Sequence, residues 1–253
     1  MLKFNRHFPV LCTLLGVASV NSAHAALVVI GAPYLGNYAP FGTSGGAQSH
    51  YAAGCEYQQI YPHNTFYSVS YKPVIINQIS FASERADFAG NQPKINVATY
   101  HVTLSFSNTS SSLSAPSTIF DENKGSNFTQ VFSGDLSTTL KGDGSFDLNF
   151  PTSPFLYDPS KGNLLFDVFI NADTDSTGDA GFDFTTGAFS RVAKVGGDPN
   201  LDTYAHPDGL VTQFRVIPAT VPEPTAPVSF AIGVLGLSAM LCVSRKRCAA
   251  NSL

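Results

Sequence analysis

The sequence predicts an all-β protein: a single antiparallel β-sandwich, of jelly-roll or immunoglobulin-like layering, flanked by an N-terminal signal peptide and one C-terminal transmembrane helix. Three observations lead there. Apolar and polar residues alternate with period two through the middle of the chain, and turn-forming clusters separate the alternating runs. Uncharged apolar segments stand at both ends, each beside basic residues. Composition agrees. The 253 residues include 20 Phe and 10 Tyr, no Trp, 21 Gly and 16 Pro, a mixture that favours strands and turns over helices. At 43% hydrophobic and 13% charged, the chain can bury a core, which excludes wholesale disorder. A formal charge of -4 with no basic patch argues against nucleic acid as a partner.

In residues 1–25, Lys3, Arg6 and His7 form a positive start, Phe8 to Val20 is apolar, and Ala23-His24-Ala25 is a small-x-small cleavage site. That order is the pattern of a secretory signal peptide cut after Ala25, with Ala23 and Ala25 as the recognised small residues. Residues 26–56, rich in Gly, Ala, Ser and Tyr, read as an irregular lead-in. Residues 57–218 are expected to form the sandwich. From Ala98 to Phe106, the residues Ala98, Tyr100, Val102, Leu104 and Phe106 share one face, and Thr99, His101, Thr103 and Ser105 share the other. Phe146, Leu148 and Phe150 alternate with Asp147 and Asn149, and Leu164 to Ile170 repeats the pattern around Asp167. Further strands are expected over Val74 to Phe81, Thr129 to Phe132, Phe182 to Phe184, Phe189 to Val195 and Val211 to Ile217. Turn signals at Gly90-Asn91, Lys141 to Gly144, Gly196 to Pro199 and Pro207 to Gly209 separate them. No helical periodicity supplies the crossovers a parallel sheet needs. In this exported part Cys55 is the lone cysteine, so it can form no internal disulfide; it is expected to be buried.

Residues 219–225 read as a linker containing Val221, Pro222, Glu223 and Pro224. Residues 226–244 are uncharged and 19 long, about 28 Å as a helix at ~1.5 Å per residue, close to the ~30 Å of a bilayer core. Arg245, Lys246 and Arg247 open a basic tail, 245–253, expected to stay cytoplasmic and so leave the β domain outside. The Pro-Glu-Pro triplet, apolar span and basic cluster together resemble the PEP-CTERM sorting signal of Gram-negative bacteria. The resemblance implies recognition by an exosortase, a membrane-embedded cysteine protease. It further implies a single-pass inner-membrane intermediate, and release to the cell surface or extracellular matrix of a polysaccharide-producing bacterium. Two prolines would hold the recognised segment extended and reduce its hydrogen-bond donors. Four phrases, Tyr57 to Tyr61, Val131 to Gly134, Gly162 to Val168 and Gly209 to Phe214, are similar to a recurrent β-rich ectodomain of such proteins. That ectodomain has no assigned activity, so this similarity brings no catalytic residues.

Candidate chemistry is sparse. Asn171, Asp173, Asp175 and Asp179 place oxygen ligands in a short loop that suits calcium, although Ser176 and Phe182 replace the Gly and Glu of an EF-hand. Turn chemistry explains the same residues. Tyr57, Tyr61 and Tyr67, with Tyr71, are candidates for stacking on sugar rings; Tyr100 shares the apolar face and reads as core. Asp147 and Asp167, opposite apolar faces, are the carboxylates a glycoside-cleaving reading would use, and solubility of the outer sheet face explains them as well. Gly42-Thr43-Ser44-Gly45-Gly46 fits G-x-S-x-G but lacks the strand before it and the helix after it. The expected function is therefore non-catalytic: a structural or carbohydrate-associating component of a surface or biofilm matrix, partnered by the sorting protease and extracellular polysaccharide. The alternatives are a secreted glycan-active enzyme and an ice-binding surface protein, the latter without the Thr-x-Thr ladder a flat ice face needs.

Overall fold

In a computed structural model of the chain, the described residues are 24–32, 35–37, 40–42, 54–84, 96–171, 174–178, 180–194 and 203–219. Twelve strands occur among them. They are β1 (Ala26–Ile30), β2 (Leu35–Asn37), β3 (Glu56–Tyr61), β4 (Val74–Phe81), β5 (Asn96–Thr109), β6 (Thr129–Leu140), β7 (Leu148–Tyr157), β8 (Asn163–Ile170), β9 (Asp175–Ser176), β10 (Phe182–Lys194), β11 (Tyr204–Leu210) and β12 (Thr212–Pro218). One short helix, α1 (Phe120–Asn123), and a 3-10 turn at Pro159–Lys161 complete the set.

The strands form two antiparallel sheets. The first has the order β1-β12-β4-β7; the second has β11-β10-β3-β8-β5-β6, with β2 added to β10 and β9 to β5. The alternating face expected in β5 is the core face: Ala98, Tyr100, Val102, Leu104 and Phe106 are all fully buried. Rings from the two sheets meet directly. Phe81 of β4 lies 5.4 Å from Phe166 of β8, Tyr61 of β3 lies 5.0 Å from Phe214 of β12, and Phe132 of β6 lies 5.6 Å from Phe150 of β7. Each fully buried Phe or Leu contributes roughly 1.5–3 kcal/mol relative to exposure. Tilted and edge-on ring pairs add to that figure. The protein thus builds its core from aromatic side chains on strands, with no disulfide among the described residues; Cys55 is buried, as expected, its Sγ 2.8 Å from the Lys194 carbonyl oxygen.

Several elements differ from expectation. The lead-in is not wholly irregular: Ala26–Ile30 is a strand, pairing Ala26 with Val216 and Ile30 with Thr212. An uninterrupted apolar run shows no alternation, and its partner lies at the far end of the described β region. Phe182–Lys194 is one long strand, continuous through Gly187 at φ 79°. The strand expected from Phe146 begins at Leu148 and runs through Pro151 and Pro154 to Tyr157, tolerated because β7 is an edge strand. Ser44 of the G-x-S-x-G match, Ala23, the Pro-Glu-Pro linker at 221–224, the 226–244 span and the basic residues 245–247 lie outside the described residues. Among the described residues no helix is long and apolar enough to cross a membrane.

Candidate functional site

The tyrosines divide by strand geometry. In β3, period two puts Tyr57, Gln59 and Tyr61 on the core side, and both tyrosines are fully buried. The Tyr57 hydroxyl donates to Gln59 Oε1, and the Tyr61 hydroxyl lies 2.8 Å from Thr212 Oγ1. Burial drives both hydroxyls well above the ordinary tyrosine range. Neither ring can stack on a sugar, which corrects that assignment. Tyr100 is core, as the alternation predicted, and donates to the Phe41 carbonyl.

Tyr67 differs. The β3–β4 connection coils into successive turns, with Thr65 N donating to Pro62 O, Tyr67 N to Asn64 O and Ser70 N to Phe66 O. Phe66 anchors the coil: it is buried 5.6 Å from Tyr157 and 5.3 Å from Phe214. That anchoring leaves Tyr67 half-buried and Tyr71 77% exposed, their rings 4.7 Å apart and tilted by 49°. His63 meets the Tyr67 ring edge-on at 6.0 Å, and its backbone N–H donates to Asn163 Oδ1. The result is an outward ladder of three rings on a loop anchored between His63 and Tyr67 by Phe66.

The proposed calcium loop is only partly described, Asp173 and Asp179 lying outside. Asn171 bonds Thr103 through Nδ2 at 3.0 Å. Asp175 Oδ2 lies 3.4 Å from His101 Nε2, and Asp135 Oδ1 is 2.7 Å from His101 Nδ1. The two carboxylates therefore meet opposite sides of one imidazole and do not converge on a shared point. Among the described residues no group of three or more His, Cys, Asp or Glu is arranged to hold a metal ion. The hydrogen bond to Asp135 raises the His101 pKa above its ordinary value; burial opposes it, and a lesser hydrogen bond to Asp175 adds to the rise.

The carboxylates weighed for catalysis have separate sets of partners. Asp147 closes a turn, its Oδ2 accepting from Ser83 Oγ at 2.8 Å and Lys141 N at 2.7 Å. Asp167 faces away from the core, yet it is only 5% exposed, because α1 and its flanking loop cover that part of the sheet. This corrects the expectation of a solvated face. Its Oδ2 accepts from Gln58 Nε2 at 2.7 Å, and Lys124 Nζ stands 3.9 Å from the same oxygen and 3.2 Å from Glu56 Oε1. Burial pushes the Asp167 carboxyl up to about 7; Gln58 opposes, the neighbouring Glu56 charge raises it further, and Lys124 lowers it. Asn123, fully buried, ties the cover down by donating to Gln58 Oε1 at 2.9 Å. This cluster clamps α1 to the sheet. Lys124 and Asn123 escaped the sequence reading because a single Asn or Lys in a polar loop carries no periodic signal.

No family model, curated protein or solved structure matches the chain.

Proposed function

We propose that the chain is an exported surface or matrix protein that associates with extracellular polysaccharide without catalysing a reaction on it. The ladder of His63, Tyr67 and Tyr71 carries this reading. Amphipathic rings fixed on an anchored loop lose little entropy when they meet a sugar face. His101, Asp147 and Asp167 are each engaged with neighbouring side chains, as clamps are. Strand order supports a single jelly-roll sandwich. With the β10–β11 hairpin set aside as an addition, β1-β12-β4-β7 facing β3-β8-β5-β6 is jelly-roll order rather than immunoglobulin order. The N-terminal pattern and the Pro222-Glu223-Pro224 tail support export through the inner membrane and sorting by an exosortase-type protease.

The test is cosedimentation of the secreted protein with extracellular polysaccharide from its host, in calcium and in chelator. Saturable binding is expected, weakened roughly fivefold by Tyr71→Ala, about 1 kcal/mol for one stacked ring. Loss of binding in chelator would bring the Asn171–Asp175 loop into the site. No binding in either buffer, or equal binding by Tyr71→Ala, would overturn the carbohydrate role.

A further inference from the structure

The two sheets end in four edge strands, β1 and β7 in one, β11 and β6 in the other. Exposed edges invite pairing with other chains, and proteins guard them with proline, charge or bulges. β7 carries Pro151 and Pro154. β11 carries Pro207 and Asp208, and its pairing with β10 shifts register. β6 carries Asp135 and Gly134 at φ 132°, and its pairing with β5 also shifts register. β1 has none of these. Its sequence is Ala-Leu-Val-Val-Ile, its register with β12 is unbroken over five residues, and β12 is its one strand partner among the described residues.

The exposed side of β1 is apolar as well. Leu27 is 62% exposed and Val29 52%. Leu27 stands diagonally from Ile217, which pairs with Ile75, which pairs with Leu156, itself 57% exposed. An apolar row therefore crosses the outer face of the four-stranded sheet and stops at an unguarded edge.

We propose that β1 pairs with β1 of a second copy, antiparallel about a two-fold axis at Val28, to give an eight-stranded sheet shared by two molecules. The strand is self-complementary in that register. Ala26 meets Ile30 of the second copy, Leu27 meets Val29, and Val28 meets Val28. Because these pairings preserve the two-residue alternation, exposed side chains meet exposed ones and core-facing ones meet core-facing ones. An isologous contact of this kind closes at two copies and does not propagate. Charge permits it. β1 carries no charged side chain, and among the described residues the cation paired across from it on its face is Arg215, opposite Leu27 on β12. The two Arg215 side chains would stand three strand spacings apart, about 14 Å, beyond the ~8 Å screening length of physiological salt. The paired area is small beside the ~1,600 Å² of a standard interface, so the dimer is reversible and in the micromolar range or weaker. Two copies would present two ring ladders to one polymer.

Analytical ultracentrifugation of the secreted protein, from low micromolar to sub-millimolar, tests this with two double variants. Leu27→Lys with Val29→Lys sets like charges directly opposite across the axis and should weaken the dimer about tenfold. Leu27→Lys with Val29→Glu sets opposite charges across the axis and should keep the dimer within a few-fold of wild type, with a new sensitivity to salt. Both changes fall on exposed positions, and circular dichroism confirms folding. A wild-type protein monomeric throughout overturns the proposal. So does a Lys/Lys variant that dimerises like wild type, or a Lys/Glu variant that dissociates as fully as Lys/Lys.

Discussion

Replacing Asp167 by Asn should stabilise the protein progressively as pH rises from about 4 to 7. The folded carboxyl titrates near 7, against an ordinary value of 3.8. Below the ordinary value both folded and unfolded chains hold the proton, and the group contributes nothing to pH dependence. Between the two values the folded state keeps a proton that the unfolded state releases. Wild-type stability then falls by up to ~1.36 kcal/mol per pH unit, to a ceiling of about 4 kcal/mol. The charges of Glu56 and Lys124 beside it bring the expected figure down to about 1–3 kcal/mol. Asn mimics the protonated acid. Its oxygen can accept from Gln58 and its amide can donate to Glu56, so the clamp on α1 persists. Urea unfolding of both proteins at half-unit steps from pH 4 to 8 gives the difference curve, in which the other titrating groups cancel. A flat difference, or one that moves against Asn with rising pH, would refute the assignment of Asp167 as a buried, proton-holding acid.

Three further outcomes are expected. Phe106→Ala removes a ring that touches Phe155, Phe166 and Phe214 and should cost about 3–5 kcal/mol in urea unfolding; a loss below 1 kcal/mol would mean the sheets do not meet there. Gly125→Ala would drive a Cβ into the Asn108 carbonyl oxygen and should cost about 2 kcal/mol or more, with a neutral result refuting that close approach. By NMR titration His101 should retain its proton above its ordinary value of 6.5, and Asp135→Asn should return it towards that value. The stability from this raised pKa is fully present below 6.5 and is lost as pH rises through the folded value. An unchanged His101 titration in Asp135→Asn would exclude the aspartate as its cause.

Much of the fold was legible because a half-buried strand writes its burial into alternate residues. Leu164, Phe166, Val168 and Ile170 all face the core as the pattern required. The site was less legible for two reasons. Alternation tells which residues share a face but not what covers that face. Tyr57 and Tyr61 looked available as amphipathic rings, yet β3 lies between β10 and β8 with its tyrosines turned to the first sheet. Asp167 looked solvated, yet the loop that carries Asn123, 44 residues earlier, closes over it by bonding to Gln58 of β3.

The sequence by itself determined the class of fold and the cysteine arithmetic, and it suggested export, because composition, local period and flanking charge are local properties. Tertiary structure decided which tyrosines are exposed, which carboxyl is buried and which edge strand is unguarded. Each of those depends on segments far apart in the chain meeting in space, as β1 meets β12 across nearly the whole domain. Local pattern holds no record of such a meeting.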